Sequence, residues 1–554
     1  MRNKDRKLRI IPLGGVGEIG KNMTVIEYEN DMIVIDCGLC FPREDMLGVD
    51  YVIPNTQYLE ENRSKLKGFF ITHGHEDHIG ATPYVLPKFD VPVYGTSLTL
   101  ALIESKYEEF GIRSNKFNVI EPGQSVKCGR FSVDFIKVSH SIDDAVGLAV
   151  HTPVGTIIHT GDFKVDYTPV AGKRIDLQKF AQIGSEGVLV LMSDSTNAEV
   201  PGFTESEKNV GASFENIFKE TKGRIIIATF ASNIHRLQQV VNEAKKAGRK
   251  ICLMGRSMVR FANVASKMGY LKLSEKMVIN ADEIDAISDS KICILTTGSQ
   301  GENMSGLVRM ASGEHPKVTI KQGDTVVISS TPIPGNERYV SDVINMLCLR
   351  GARVVYGGRA QVHVSGHACQ EELKLMFSLT KPQYFIPVHG EYKHLYKHAA
   401  LAEEMGIAKK NIFIPSIGTP IEFAGKKAAQ GDQVSSGSVL IDGLGIGDVG
   451  NVVLRDRQVL SSEGLFIVVM TMAKSTGELI CPPDIISRGF IYMKESEGLL
   501  NEAKDMITQL VQKNAFKKTH EMIALKGRIK KLMSSYLYDK TKRSPMILPI
   551  IIEV

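Results

Sequence analysis

Apolar positions along this chain fall into two rhythms. Up to about residue 200, short apolar or alternating runs stop at polar or glycine-bearing turns, the pattern of strands. Such runs are Leu8-Arg-Ile-Ile-Pro-Leu13, Asn22–Tyr28, Asp31–Asp36, Phe131–Val138, Gly155–Ile158 and Val188–Met192, and far downstream Tyr384–Val388 repeats the type. From about Phe203 to Gln361 the texture changes to strand–helix units. Gly223–Phe230 precedes a helical run at Ile234–Ala247, Lys250–Met254 precedes Val259–Met268, Lys291–Leu295 comes next, and Asp324–Ser330 precedes Tyr339–Leu349. That alternation predicts a parallel sheet flanked by helices. A Gly-rich connection at Asp442–Gly450 then leads to a small α/β unit with strands Gly464–Met470 and Met546–Val554 and helices over 496–513 and 519–537. A chain of 554 residues exceeds one hydrophobic core, so two or three domains are expected.

The turns that end these runs hold the chemistry. Straight after Gly68-Phe-Phe70 comes Ile71-Thr-His-Gly-His-Glu-Asp-His78, so His73, His75, Asp77 and His78 crowd into six residues of a chain that has only 14 histidines. Imidazoles and a carboxylate at this spacing suit Zn²⁺ or Mn²⁺. Neighbouring side chains diverge, so His73 and His75 can face one ion while Asp77 and His78 face another. Two ions about 3.5–4 Å apart can clamp an attacking hydroxide and a phosphoryl oxygen together. His140, Asp162 and His389 each come after a predicted strand, where loops collect into one rim, and complete a possible seven-ligand set. Asp36, ending its own strand, is placed to support ligand geometry from behind. A lone histidine after a strand is more often a satisfied core or surface residue; several such strand ends in one chain reverse that expectation.

Composition refines this only slightly. With 43% hydrophobic and 23% charged residues the chain reads as globular and soluble, and a net charge of +5 is weak evidence for a polyanionic partner. The bases Lys513, Lys517, Lys518, Lys526, Arg528, Lys530, Lys531, Lys540, Lys542 and Arg543 crowd the end, which fits either RNA contact or a solvated helix face. Eight scattered cysteines lack a disulfide or zinc-ribbon spacing, and no apolar stretch approaches a membrane span or signal peptide, so a cytoplasmic enzyme is the default. Gly15-Val-Gly-Glu-Ile-Gly20 spells a dinucleotide-binding fingerprint, but strands rather than a helix are predicted after it. A tight turn beside the metal rim is the better reading.

His-x-His-x-Asp-His succeeded by a His, an Asp and a late His resembles the metal set of the metallo-β-lactamase superfamily. Within it the chain is similar to the ribonuclease J family of the β-CASP branch from about Leu13 to Val554. The signatures are Leu13-Gly-Gly-Val-Gly-Glu-Ile-Gly-Lys-Asn22, Ser193-Asp-Ser-Thr-Asn197, Thr297-Gly-Ser-Gln-Gly-Glu302, Ser330-Thr-Pro-Ile-Pro-Gly335, His363-Val-Ser-Gly-His367 and Pro545-Met-Ile-Leu-Pro549. The resemblance implies an α/β architecture: a metallo-β-lactamase αββα sandwich over 1–205 and 362–425, an inserted α/β β-CASP domain over 206–361, a linker over 426–459 and a C-terminal α/β domain over 460–554.

It also implies a metal-dependent ribonuclease, a 5′-to-3′ exonuclease favouring 5′-monophosphate ends with added endonuclease activity, in RNA maturation and mRNA decay. Two divalent ions per subunit are implied, Zn²⁺ first and Mn²⁺ or Mg²⁺ as alternatives. Asp194 matches the carboxylate that pairs with a general-acid histidine, here His367; the bland alternative is that Asp194 caps the next turn. Ser232, Asn233 and the segment His363, Val364, Ser365, Gly366 and His367 match a 5′-monophosphate pocket at the seam of two domains. Implied partners are single-stranded RNA and further copies of the chain, as a dimer or tetramer through the C-terminal unit, or a paralogue in a mixed complex. A low-activity RNA-binding paralogue subunit or another hydrolase of this fold are the alternatives. Asp143-Asp144, where relatives often carry proline then an acid, and Asn303-Met304 depart from the family pattern without touching a ligand position.

Overall fold

The computed structural model describes residues 7–554 except 114–115, 171–172, 303–304, 334–335, 358–359, 426, 492–495 and 514–518. Asn303, Met304, Pro334, Gly335, Lys517 and Lys518 of the motifs above lie outside the described residues. The chain forms two compact units, one of residues 7–40 and 53–439 and one of residues 41–52 and 440–554.

Two sheets face each other in the first unit. One has eight strands in the order Lys427–Gln430, Ile421–Ala424, Leu8–Gly14, Met23–Tyr28, Asp31–Ile35, Leu66–Phe70, Val93–Gly95 and Phe117–Val119. The other has six, in the order Tyr384–Val388, Val188–Asp194, Thr156–His159, Val146–His151, Phe131–Lys137 and Ser125–Cys128. Period-two alternation decides what goes between them. Ile10, Ile26, Ile33 and Phe70 of the first sheet meet Val133, Phe135, Leu148 and Val190 of the second. Ile136, Ile158 and Leu191 point the other way, against the helices Leu177–Glu186 and Gln370–Thr380.

Strand direction gathers the candidate ligands. Thr156–His159, Val188–Asp194 and Tyr384–Val388 are parallel neighbours, so the residues leaving their C-terminal ends share one rim. Asp194 pairs with Val388 in register, next to His389. Two successive antiparallel pairings give Phe131–Lys137 the same direction, which brings His140 to that rim. In the facing sheet Asp31–Ile35 and Leu66–Phe70 are parallel, and Asp36 and the loop from Ile71 emerge together.

Between the second sheet's fifth and last strands in sequence lies the predicted parallel sheet, ordered Lys250–Met254, Ile292–Thr296, Ile225–Ala228, Thr325–Ile328 and Arg353–Val355, with every pairing parallel. Its central strands are apolar and buried, as a sheet covered on both faces requires. The helix expected from Val259 begins at Arg256, after Gly255 in a positive-φ conformation.

The second unit carries Leu465–Met472, buried on alternate residues, between Asp484–Arg488 and Met546–Glu553. Helices Glu497–Gln512 and Thr519–Thr541 supply Ile507, Leu525, Ile529 and Met533 to its core. Lys526, Arg528, Lys530, Lys531 and Lys540 lie on the exposed side of the second helix. The stretch expected to be a linker is structured: it includes the strand Ser438–Asp442 and the helix Asn451–Ser462. That helix buries none of its residues. Among the described residues no helix is long and apolar enough to cross a membrane.

Candidate metal centre

After Leu66–Phe70 the chain turns into the short helix Glu76–Ile79, with His75 at its N-cap. This loop is held by its backbone. Leu39 N donates to Glu76 O (3.1 Å), Asn22 N to Asp77 O (3.0 Å) and Cys37 N to His78 O (2.8 Å). Gly38 permits that approach: a Cβ there would lie 1.6 Å from Asp77 O. Gly38→Ala is therefore expected to displace the loop and weaken metal affinity by roughly 10–100-fold, as loss of ligand support does. Metal titration of the folded variant checks this.

The side chains converge in three groups that share Asp162: His73, His75 and His140; Asp77, His78 and His389; and Asp194, His367 and His389, which overlaps the second. His73 Nε2 and His140 Nε2 each lie 3.1 Å from His75 Nδ1. Asp162 Oδ2 stands between the first two groups, 3.7 Å from His73 Nε2, 3.7 Å from His140 Nε2 and 3.3 Å from His78 Nε2. Its Oδ1 accepts from His389 Nδ1 at 2.8 Å.

Outer partners fix the tautomers. His140 Nδ1 donates to Gly366 O (2.7 Å), which turns Nε2 toward the cluster. His78 Nδ1 donates to Asp36 Oδ2 (2.7 Å), and Asp36 also accepts from Thr72 N (2.8 Å). Asp36 holds this position at a φ of 62°, a costly conformation for a residue with a Cβ. His389, at a φ of 54°, donates its backbone N–H to Gly15 O (2.7 Å). Gly390 bridges to Val16 and Glu18, so the glycine run builds a turn against a cluster residue, and the strand Met23–Tyr28 comes after it where a dinucleotide fold needs a helix.

This donor set fits divalent ions. Burial first, then neighbouring imidazoles, hold His73, His75 and His140 below the ordinary histidine range, His75 at about 4, the neutral form that ligates. In the second group burial is outweighed. Asp162, Asp77 and Asp36 raise His78, and Asp162 lifts His389 to about 10. His389 Nε2 is buried without a hydrogen-bond donor or acceptor among the described residues, yet lies 3.2 Å from Asp77 Oδ2. A buried nitrogen and carboxylate so placed require a proton or a cation between them, and metal binding releases such protons.

Asp194 and His367 adjoin the cluster. His367 Nδ1 donates to Asp194 Oδ2 (2.8 Å), while Asp194 Oδ1 accepts from Thr196 N (3.0 Å) and Oγ1 (2.7 Å). One carboxylate thus orients the histidine and caps the turn. Burial lowers the His367 imidazolium, but Asp194 and Asp162 outweigh it and hold the group above its ordinary value.

The residues expected to donate to a phosphate differ in what they can offer. Ser365 Oγ accepts from Asn197 Nδ2 (2.9 Å) and His367 N (3.2 Å), which leaves its hydrogen to donate. Asn233 caps the helix Ile234–Lys246, its Oδ1 accepting from Arg236 N (2.9 Å), so its donor is Nδ2. Ser232 precedes that cap and is half-buried. His363 lies 3.5 Å from Arg236 Nη1; burial and that guanidinium lower it to about 4. The Val364 side chain is buried in the protein, so only its backbone can face a ligand. Gly366 has no room for a Cβ, which would stand 2.7 Å from His140.

Three residues that hold this motif carry no signal in the sequence. Arg236 is fully buried, paired with Glu207 (2.9 Å), and donates to Ser329 O (3.0 Å) and Val362 O (3.2 Å). Lys164 Nζ donates to Glu205 O (3.2 Å) and Ser365 O (3.1 Å). Arg236, Glu207 and Lys164 therefore fasten both chain crossings into and out of the inserted sheet. Asp143 and Asp144 face it too: Asp143 lies 3.5 Å from His235, and Asp144 accepts from the Tyr270 hydroxyl. Gln300 of the Thr297–Glu302 signature donates to Ser330 and Thr331 inside the inserted domain.

Four family models match the chain. They are "Metallo-beta-lactamase superfamily" over residues 16–175, "Ribonuclease J, beta-CASP domain" over 222–347, "Zn-dependent metallo-hydrolase RNA specificity domain" over 351–415 and "Ribonuclease J C-terminal domain" over 452–554. The chain is 44% identical over 556 residues to Ribonuclease J2 of Bacillus subtilis, with 100% of both chains covered. It is 44% identical over 550 residues to Ribonuclease J 1 of Streptococcus pyogenes, covering 99% of this chain and 98% of that one. A solved structure, a protein of unknown function from Enterococcus faecalis, superposes with a TM-score of 0.54 at 16% identity over 75% of this chain and 100% of its own, a likeness of fold alone.

Proposed function

This chain belongs to the ribonuclease J family, with a metallo-β-lactamase domain, an inserted β-CASP domain and a C-terminal domain, and from that premise we propose that it degrades single-stranded RNA. It works from 5′-monophosphate ends, with slower internal cuts, in cytoplasmic RNA maturation and mRNA decay. The observation that carries this reading is the pair of donor groups sharing Asp162, with the Asp194–His367 pair beside them. A family relative that only binds RNA needs no such complete set, and all seven ligand positions are filled here.

Bound divalent ions, Zn²⁺ first and Mn²⁺ or Mg²⁺ as alternatives, supply a water nucleophile at neutral pH and neutralise phosphoryl charge. His73, His75 and His140 would hold one ion, Asp77, His78 and His389 the other, with Asp162 common to both. Asp36 keeps His78 in its ligating tautomer. Asp194 holds the His367 Nδ1–H, so Nε2 carries the proton offered to the departing 3′ oxygen. Ser232, Asn233, His363 and Ser365 donate to the terminal phosphate, with Gly366 joining their segment to His140. Ile486, Leu548, Ile550 and Ile552 are exposed on the C-terminal sheet, which supports pairing of that unit with another copy.

The test compares 5′-monophosphate, 5′-triphosphate and circular forms of one RNA with Zn²⁺, Mn²⁺ or Mg²⁺. Monophosphate RNA is expected to be consumed fastest, from its 5′ end. Circular RNA cut as fast as the linear form would remove the 5′-end requirement.

A further inference from the structure

We infer that a cleft walled by Tyr392, beyond His389, binds the nucleoside on the 3′ side of the scissile phosphate, its base stacked on the Tyr392 ring. This rests on the ribonuclease reading above and adds a subsite to it.

The cleft is continuous with the cluster through the backbone. One wall is Gly17 and Glu18, in the turn whose Gly15 carbonyl accepts from His389 N and whose Val16 and Glu18 bridge Gly390. The other is Tyr392, three residues beyond His389, at the start of the helix Tyr392–Glu404. Gly17 backs the aromatic ring: a Cβ there would lie 2.6 Å from Tyr392 Cε2. The ring is thus seated by a glycine yet remains 46% exposed, an unusual outlay for a large aromatic side chain unless something covers it.

Position along the cluster gives the cleft its polarity. Gly366 O accepts from His140 Nδ1 of the first group (2.7 Å). His389 and Gly390 belong to the second group and lead to Tyr392. Contacts run from Gly366 through His140, Asp162 and His389 to Gly390. RNA with its 5′ phosphate at the first end passes the cluster and reaches the cleft with its next nucleoside.

The lining selects a base over a phosphate. Ser416 offers a hydroxyl, the Gln433 amide and Ser436 hydroxyl donate to Ile417 O (3.3 and 3.5 Å) and keep their oxygens as acceptors, and Glu18 is paired with Lys21 at 3.1 Å. Among the described residues no arginine or lysine lines the cleft. Its volume of about 400 Å³ lies within the range of small-molecule sites. One ring with mixed donors and acceptors stacks any base, because every base has a π-face.

The full chain is tested with 5′-monophosphate oligonucleotides carrying one abasic ribose, moved position by position from the 5′ end. Native protein is expected to lose roughly tenfold in kcat/KM when the abasic unit lies just 3′ of the scissile phosphate, and little elsewhere downstream. Tyr392→Ala should lose as much on intact RNA and nothing further at that one position, while Tyr392→Phe behaves as native. An abasic profile that is flat in the active native chain overturns the cleft assignment alone, and so does a Tyr392→Ala loss that adds fully to the abasic loss. A native chain that cuts none of the oligonucleotides overturns the ribonuclease reading and the cleft together.

Discussion

Asp77→Ala is expected to lower RNA cleavage by roughly a thousandfold or more, since it removes a proposed ligand from a site of the kind that supplies several kcal/mol of transition-state stabilisation. The fold should survive. The bonds that hold the loop run to the backbone carbonyls of Glu76, Asp77 and His78, not to the Asp77 carboxylate. That carboxylate is 30% exposed, so truncation opens no sealed cavity. His78→Ala should lose activity as severely but with a stability cost, because His78 is buried and its removal leaves Asp36 with Thr72 as partner. Rates, metal content and thermal unfolding measured on both variants separate the effects. An Asp77→Ala protein that keeps native rates contradicts the ligand assignment.

His367→Ala is the second large effect, a loss of about 10²–10⁴-fold for removal of the proposed general acid. Its size depends on the leaving group. An RNA whose scissile linkage carries sulfur in place of the 3′ oxygen departs as a thiolate and needs no proton. On that substrate His367→Ala should return to within about tenfold of the native rate. Asp194→Asn should change the rate in the same direction, because it loses the acceptor that fixes the His367 tautomer while keeping the side chain's size. An equal defect on oxygen and sulfur linkages would show that His367 does something other than deliver a proton.

How far each feature is legible in the sequence depends on how local its interactions are. His73, His75, Asp77 and His78 stand within six residues, and each remaining candidate ligand comes after a run whose apolar pattern marks a strand. Parallel pairing then brings those strand ends together without further information. The Gly15–Gly20 run misleads only when it is read alone, and the strand at Met23 corrects it. Interactions across long stretches of chain leave no such trace. Arg236 and Glu207 are 29 residues apart and Lys164 and Ser365 are 201 apart, yet they fasten the His363–His367 segment. Val364 sits within a signature, but burial of its side chain cannot be seen from the motif. Gly38 reads as an ordinary glycine until Asp77 O is placed against it.

The Asp162 cluster is proposed to work as a metal centre on RNA. Its most direct test is cleavage of 5′-monophosphate RNA by chelator-stripped protein, confirmed metal-free by elemental analysis and folded by circular dichroism, before and after Zn²⁺ or Mn²⁺ is returned. Activity should vanish on stripping and come back with the ion in the native chain but not in Asp162→Ala. Undiminished cleavage by the stripped, folded protein would contradict it.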